Sequence, residues 1–281
     1  MRCQVGEVSL DYECFGAGSA FVGLHGMPMD RRGPIYEFEP LFAGRMGWRR
    51  IYIDLPGHGR SPKAPWPRDD ARVVEILVQF LDSVLGDARL VLAGGSYGAF
   101  IARGLAHRVR DRVDGLCLLT PVVKVGSRQL PPRSVIGNRD EIARMAERGE
   151  ILGEMLVANP PAMKRYVEAL SQGIADTEYL DEITDARKRV PILETDLETL
   201  DAPTLIITGR QDTTVGYRDQ WELLELYPRA TFAVLDRAGH LLRGEQEQLF
   251  LTLGREWLDR VEERIRLDSD ETLDSEEPPT T

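Results

Sequence analysis

The chain has 281 residues, a formal net charge of −11 and an apolar share of 42%, so a core of ordinary size fits one large domain or two small ones. No apolar run approaches the roughly 18 residues that cross a bilayer, and no basic stripe predicts nucleic-acid binding. The N-terminus lacks the apolar segment of a secretory signal, and three widely spaced cysteines make no disulfide framework, so we expect a cytoplasmic protein with free thiols and no membrane contact.

The first half of the chain alternates strand and helix patterns. Alternation from Val5 to Phe15 predicts a hairpin around Gly6. Helices are predicted over Arg72–Leu85 and Tyr97–His107 by the spacing of their apolar residues. Buried strands are predicted by the runs Ala20–Leu24, Trp48–Asp54, Arg89–Ala93 and Val113–Leu119. Strands that alternate with helices indicate an α/β fold, with a parallel sheet between two helical layers.

The alternation is interrupted and then returns. Between residues 121 and 200 strand patterns vanish, and helical stretches separated by Pro or Gly follow one another: Asp140–Leu152, Pro161–Leu170 and about Thr177–Arg189. After residue 200, strands are predicted at Thr204–Thr208 and Thr231–Leu235, with a helix at Tyr217–Leu226 between them. A long final helix is predicted over about Glu245–Ile265. We predict a core formed by residues 1–120 and 201–266, with a helical insertion over 121–200.

The C-terminal end is strongly acidic. Residues 267–281 contain six acids and no base, end in two prolines and two threonines, and offer almost nothing apolar to bury. This composition is typical of a disordered segment, and it also suits a tail that binds a partner. We expect a disordered acidic tail over 267–281, and the partner stays an open alternative.

A candidate nucleophile stands in Gly94-Gly95-Ser96-Tyr97-Gly98, which has the form G-x-S-x-G. The pentapeptide follows a predicted strand and precedes a predicted helix, which is the context of a nucleophile elbow. Such a turn raises the serine hydroxyl above the carboxyl edge of the sheet, at a helix N-terminus that favours developing negative charge. The alternative is a glycine-rich turn with a solvated serine.

A serine hydroxyl needs a base, and the chain has four histidines. His107 lies in the helix after Ser96, whereas His25 and His58 lie in turns that precede it. His240 follows the last predicted strand, so its loop belongs to the same carboxyl edge as Ser96. His240 is therefore the predicted base.

The base needs a carboxylate that fixes its tautomer. Asp212 comes shortly after the strand Thr204–Thr208, again at the carboxyl edge, and we predict that it orients His240. Asp236 and Asp201 are competitors that suit a strand end and a linker.

An oxyanion hole would combine two backbone N–H groups. One belongs to Tyr97, directly after the serine, and the other, by position, to Met27 in the loop His25-Gly26-Met27-Pro28. His25 itself is expected to shape this loop without touching substrate.

Five blocks together resemble the α/β-hydrolase superfamily. They are His25-Gly26-Met27-Pro28, Asp54-Leu55-Pro56-Gly57-His58-Gly59-Arg60-Ser61, Gly94–Gly98, Gly209-Arg210-Gln211-Asp212 and Gly239-His240. They follow the family's order from the N-terminus to about Arg266, and the chain order Ser96, Asp212, His240 is also the family's. The resemblance implies an eight-stranded, mostly parallel sheet, a helical cap over about residues 121–200, and an active site between cap and core. It also implies a structural role for the block Asp54–Ser61.

Departures from particular subfamilies narrow the expected chemistry. Haloalkane dehalogenases and epoxide hydrolases carry an aspartate where this chain has Ser96, which argues against both activities. Prolyl iminopeptidases share the Gly-Gly-Ser elbow but usually carry Trp at the position of Tyr97 and a different loop after His25, which argues against a peptidase.

The expected function is hydrolysis of a small carboxylic ester or lactone through an acyl-enzyme, with no metal and no cofactor. Two alternatives stay open: hydrolysis of a C–C bond in a β-diketone-like compound, and a small-molecule receptor that retains the triad. Pocket candidates are the side chains of Met27, Tyr97, Met155, Met163 and Tyr166. The partner is a small-molecule substrate, and the oligomeric state is not readable from the sequence.

Overall fold

The protein is built around one eight-stranded sheet. The structure is a computed structural model, and it describes residues 1–66, 69–124, 126–132 and 198–275 together with the isolated positions 134, 136, 140, 143, 144 and 147. The strands are β1 (Arg2–Val5), β2 (Val8–Phe15), β3 (Ser19–Leu24), β4 (Trp48–Ile53), β5 (Leu90–Gly95), β6 (Val113–Leu119), β7 (Thr204–Gly209) and β8 (Ala230–Leu235). Their order is β1-β2-β4-β3-β5-β6-β7-β8. Among these described strands, only the pairings of β2, with β1 and β4, are antiparallel. The predicted mostly parallel sheet is confirmed.

Helices cover both faces of this sheet. They are α1 (Arg32–Phe38), α2 (Asp70–Leu85), α3 (Tyr97–Arg108), the single turn α4 (Leu242–Glu245) and α5 (Glu247–Ser275). Short 3₁₀ helices occupy Glu39–Phe42, Arg110–Arg112 and Asp219–Glu225. The start of α2 is set by Asp69, whose carboxylate accepts the N–H groups of Ala71 and Arg72. α1 has too few residues for a recognisable helical pattern, and sequence reasoning missed it.

The central strands contribute side chains to two separate hydrophobic cores, one on each face of the sheet. Along β5, Leu90 and Leu92 point to the core that contains α2 and α3, whereas Val91 and Ala93 point to the core that contains α1 and α5. β6 and β7 alternate in the same way, because successive side chains of a strand project to opposite faces. Burial on both faces explains why these strands are continuous apolar runs in the sequence.

Two predicted elements differ from the structure. The segment predicted as a helix over Tyr217–Leu226 is a 3₁₀ helix over Asp219–Glu225. Tertiary bonds hold its first turn, since Asp219 accepts the Gln129 N–H at 2.9 Å and Gln220 donates to the Pro121 carbonyl at 2.8 Å. These contacts come from distant segments, so local periodicity could not reveal them.

The C-terminal tail is partly helical. α5 continues to Ser275, so residues 267–275 form helix where disorder was predicted, and residues 276–281 lie outside the described part. Asp268 pairs with Arg89 at 3.4 Å and with Arg264, one turn earlier, at 3.8 Å. Residues 267–277 contain no Gly or Pro that would end the helix. Together with these ion pairs, this lets the acidic segment extend the helix.

The predicted insertion lies mostly outside the described residues. β6 ends at Leu119, and its neighbour β7 begins at Thr204. The cap over 121–200 therefore stays a prediction, as does the division into core and cap. Among the described helices none is both long enough and apolar enough to span a membrane.

Candidate active site

Ser96 lies at the turn between β5 and α3. Its φ of 52° and ψ of −113° place it in a left-handed region that L-residues rarely adopt. The Ser96 N–H donates to the Leu119 carbonyl at 2.8 Å, which fixes the turn to the end of β6. The strand, the strained serine and the helix follow one another as a nucleophile elbow requires.

The glycines around Ser96 are required by close packing. A Cβ on Gly94 would lie 2.4 Å from the carbonyl carbon of Gly98. A Cβ on Gly98 would lie 2.2 Å from the Leu24 carbonyl oxygen at the end of β3. Only glycine lets the first turn of α3 approach β3 and β5 this closely.

His240 and Asp212 complete a hydrogen-bonded chain with Ser96. His240 Nε2 lies 2.9 Å from Ser96 Oγ, and Nδ1 lies 2.9 Å from Asp212 Oδ2. The loops that carry them follow β8 and β7 and are joined by a backbone bond from the Gln211 N–H to the Ala238 carbonyl at 2.9 Å. The three residues predicted from their positions at the carboxyl edge are thus brought together.

The surroundings of Asp212 determine the tautomer of His240. The carboxylate is fully buried, and its Oδ1 accepts the N–H groups of Thr214 at 2.8 Å and Val215 at 2.9 Å. A carboxylate held by these donors accepts a hydrogen bond from the Nδ1–H of His240. Nε2 is then left to accept the Ser96 hydroxyl proton, which is the arrangement that activates a serine.

The other histidines serve the structure. His25 is buried, donates from Nδ1 to the Gly26 carbonyl at 2.8 Å, and accepts the Leu55 N–H on Nε2 at 3.0 Å. His58 donates from Nδ1 to the Pro56 carbonyl at 3.0 Å. His107 lies 3.3 Å from the Tyr227 hydroxyl, and burial, with the nearby Arg103 and Arg110, lowers its pKa to about 4.

The predicted oxyanion loop lies directly beside the elbow. The Met29 N–H donates to the Gly26 carbonyl at 3.1 Å, and a Cβ on Gly26 would lie 3.3 Å from the Cβ of Ser96. Met27 is half-buried on this turn. Tyr97 begins α3, whose first-turn N–H groups point out of the helix end toward the serine. Donation from the Met27 and Tyr97 amides to an oxyanion stays a prediction.

The Tyr97 side chain turns away into the core. Its hydroxyl donates to Asp70 Oδ1 at 2.8 Å, and both residues are buried. The ring therefore joins α3 to the first turn of α2, which gives it a structural role in place of the pocket contact that was predicted. Met27 stays a candidate for the pocket, whereas Met155, Met163 and Tyr166 lie outside the described residues.

The block after β4 is structural, as the sequence indicated. Asp54 is fully buried, and its carboxylate accepts the N–H groups of Arg31 and Arg60, each at 2.8 Å, and pairs with the Arg31 guanidinium. Ser61 Oγ donates to the Asp54 carbonyl at 2.6 Å. These bonds fix the loop after β4, and the Leu55 N–H of this loop in turn holds the His25 ring.

Asp54→Asn should lower the free energy of unfolding by about 2–4 kcal/mol, because it removes the charge from a buried carboxylate paired with Arg31. Asp82→Asn is the matched control. Its ion pair with Arg112 at 2.7 Å is exposed and should be worth less than about 1 kcal/mol. Urea unfolding measures both variants, and equal losses would contradict the structural role of Asp54.

Sequence reasoning missed a buried acid beside the elbow. Glu37 of α1 is 3% exposed, and burial raises its pKa to about 7, although the positive charges of Arg243 and His240 oppose this rise. A Cβ on Gly95 would lie 3.2 Å from both carboxylate oxygens. The spacing from Glu37 to Ser96 carries no local signal, so only the packing of α1 on the sheet reveals this contact.

The described residues contain no group of three or more His, Cys, Asp and Glu side chains that could hold a metal ion.

Known proteins resemble this chain over most of its length. A model of the alpha/beta hydrolase family matches residues 21–252. The 2-hydroxy-6-oxononadienedioate/2-hydroxy-6-oxononatrienedioate hydrolase of Paraburkholderia phymatum is 29% identical over 263 residues, which cover 87% of this chain and 88% of that protein. The pimeloyl-(acyl-carrier protein) methyl ester esterase of Shewanella woodyi is 25% identical over 277 residues, or 90% of this chain and 98% of the esterase.

Solved structures share the fold. The crystal structure of an alpha/beta superfamily hydrolase from Oenococcus oeni PSU-1 matches with a TM-score of 0.75 at 24% identity. The match covers 93% of this chain and 99% of that one.

Proposed function

Since the chain belongs to the alpha/beta hydrolase family, we propose that it is a serine hydrolase that cleaves a small carboxylic ester or lactone. The observation that carries the proposal is the hydrogen-bonded chain from Ser96 Oγ through His240 to Asp212, with both distances at 2.9 Å. Ser96 is the nucleophile, His240 the general base and Asp212 the acid that orients the base.

The reaction divides into two acyl transfers. His240 Nε2 takes the proton of Ser96 Oγ while the oxygen attacks the carbonyl carbon, and the resulting imidazolium then protonates the departing alkoxide. This leaves an acyl-enzyme on Ser96. His240 next takes a proton from water, the hydroxide attacks the acyl carbon, and the proton returns to Ser96 as the carboxylic acid leaves.

Backbone N–H groups stabilise the negative charge that develops on the carbonyl oxygen. We assign this role to the amides of Met27 and Tyr97. The loop lies beside the serine, since a Cβ built on Gly26 would be 3.3 Å from the Cβ of Ser96, and this supports the assignment. Each donor aimed at the oxyanion contributes about 3–4 kcal/mol to transition-state stabilisation in comparable sites.

The relatives support hydrolysis and favour two substrate classes. The Shewanella woodyi relative is named as a methyl ester esterase, which favours the ester. The Paraburkholderia phymatum relative is named as a hydrolase of oxo dienedioates, which favours C–C bond cleavage next to a ketone as the second candidate. In both reactions one serine site adds an oxygen nucleophile to a carbonyl group, and the leaving group is an alkoxide or a carbanion.

Ser96→Ala should lower kcat/KM for p-nitrophenyl esters at least about 10⁴-fold, since it removes the nucleophile. Turnover of esters of increasing acyl length is measured for the wild type, for Ser96→Ala and for the control Ser83→Ala, whose exposed serine lies on α2. A fluorophosphonate probe should label the wild type and the control but not Ser96→Ala. Ester turnover retained by folded Ser96→Ala would contradict the proposal.

The same assay distinguishes the two substrate classes. A chromogenic β-diketone with a larger kcat/KM than any ester would favour C–C cleavage, again with loss of turnover in Ser96→Ala. A folded wild type that neither turns over an ester or diketone nor reacts with the probe would contradict both enzymatic candidates.

A further inference from the structure

Glu37 is buried against the strand end that carries Ser96. Its carboxylate oxygens both lie 3.2 Å from the position that a Cβ of Gly95 would occupy, one residue before Ser96. Within the part of the chain that the structure describes, Oε2 of this carboxyl accepts no hydrogen bond. A buried carboxyl with an unsatisfied oxygen is costly for the fold.

Charged and titratable groups surround this carboxyl on several elements. Arg243 of α4 is 2% exposed, and its Nε donates to the backbone carbonyl of Glu37 at 3.3 Å. Cys117 of β6 lies near Glu37 as a neutral thiol, because burial and the Glu37 charge raise the pKa of this thiol. The carboxylate of Glu245 of α4 accepts a hydrogen bond from the Gly239 N–H at 2.5 Å. His240 follows Gly239, and its positive form favours an ionised Glu37.

Arg243 is already engaged by other groups, so it neutralises Glu37 only in part. Its guanidinium pairs with Glu247 at 2.9 Å and lies over the rings of Tyr36 at 5.0 Å and Phe250 at 5.2 Å. The Glu37 charge acts first on Arg243 and also on the other cation that forms nearby, the imidazolium of His240.

We propose that Glu37 is a positioning residue for the proposed serine chemistry, and that its buried carboxylate stabilises the His240 imidazolium that forms when Ser96 loses its proton. The inference rests on the proposed function. Electrostatic coupling is reciprocal, so a carboxylate that is ionised more easily beside imidazolium must also raise the pKa of that imidazole. Asp212 acts on Nδ1 through a hydrogen bond, whereas Glu37 acts through the field in a region that excludes water.

Glu37→Gln keeps the size of the side chain and removes its charge. We expect kcat/KM on a p-nitrophenyl ester to fall about 3–10-fold on the plateau, with KM unchanged, because the imidazolium is less stable in the transition state. We also expect the acidic limb of the pH–rate profile to move to lower pH by up to about half a unit, because wild-type Glu37 ionises over the same pH range as His240 and then holds the His240 proton more tightly.

Two further variants separate a field effect from a packing effect. Glu37→Asp keeps the charge, so the acidic limb of its pH–rate profile should lie close to the wild-type pH, even if the shorter side chain costs some activity. Glu39→Gln removes a neighbouring acid that pairs with Arg50 at 2.9 Å, and it should leave the limb in place. Activity lost without a shift of the limb in Glu37→Gln, or a shift of equal size in Glu39→Gln, would overturn the proposal.

An NMR titration of His240 gives a readout that needs no substrate, with the His240 signal assigned from its absence in His240→Gln. The pKa of His240 should be lower in Glu37→Gln than in the wild type. A lower pKa in a protein without ester turnover would mean that the proposed function fails while the coupling stands. An unchanged pKa would overturn the inference about Glu37, whatever the enzyme hydrolyses.

Discussion

Asp212→Asn should lower kcat on a good ester substrate by about 10⁴-fold while the protein stays folded. The reason lies in the hydrogen bonds that the wild-type carboxylate makes. Oδ1 accepts two backbone N–H groups, from Thr214 and Val215, so the carbonyl oxygen of an asparagine must occupy that position.

The asparagine NH₂ group would then face His240 Nδ1. An amide N–H that donates to Nδ1 requires the tautomer with its proton on Nε2, and this proton points at Ser96 Oγ, 2.9 Å away. Such an imidazole cannot accept the serine proton. The loss therefore arises from a reversed tautomer, while the three side chains keep their positions.

Steady-state kinetics and thermal unfolding of Asp212→Asn measure the two halves of this prediction. Asp236→Asn is the matched control, since Asp236 is an exposed acid at the end of β8 and was a competing candidate in the sequence. The control should keep kcat within about 2-fold. Loss of less than tenfold in folded Asp212→Asn, or a comparable loss in Asp236→Asn, would show that another acid orients His240.

Gly98→Ala should lower the free energy of unfolding by about 3 kcal/mol or more and kcat by at least about 10²-fold. The added methyl group would lie 2.2 Å from the Leu24 carbonyl oxygen and 2.6 Å from that of His25. Both obstacles are backbone oxygens, one in the last residue of β3 and one in the residue that follows it, so relief requires α3 to move as a unit. Alanine gains about 1 kcal/mol in helix propensity over glycine, which is too little to compensate for this clash.

The activity loss follows from the same displacement. Ser96 immediately precedes α3, and the loop with Gly26 and Met27 follows β3, so a shift between the two elements separates the proposed nucleophile from the proposed oxyanion donors. Urea unfolding and ester kinetics measure the two effects. Gly126→Ala is the control, because no atom of the described residues lies within 4 Å of its Cβ position. Gly98→Ala with wild-type stability would show that β3 and α3 are not packed as described.

Local sequence patterns determined most of the sheet and the identity of the three central side chains. Apolar runs such as Val113–Leu119 coincide with strands because both faces of the sheet are covered and every position along the strand is buried. Ser96, Asp212 and His240 were found because each follows a recognisable strand, and parallel strands bring their carboxyl ends to one edge. That inference needs the order of elements and no knowledge of long-range contacts.

Only the tertiary structure decided what each side chain contacts. The Tyr97 ring was expected in the pocket, but its hydroxyl bonds to Asp70 of α2, whose distance from the elbow no pattern specifies. Glu37 lies beside Gly95 because α1, too short to be recognised, packs against β3 and β4 and brings this side chain to the end of β5. Such contacts join residues far apart in sequence, and periodicity, propensity and motif spacing describe only neighbours along the chain. The sequence therefore determined which groups meet at the edge of the sheet, and the packing determined the electrostatic environment in which they meet.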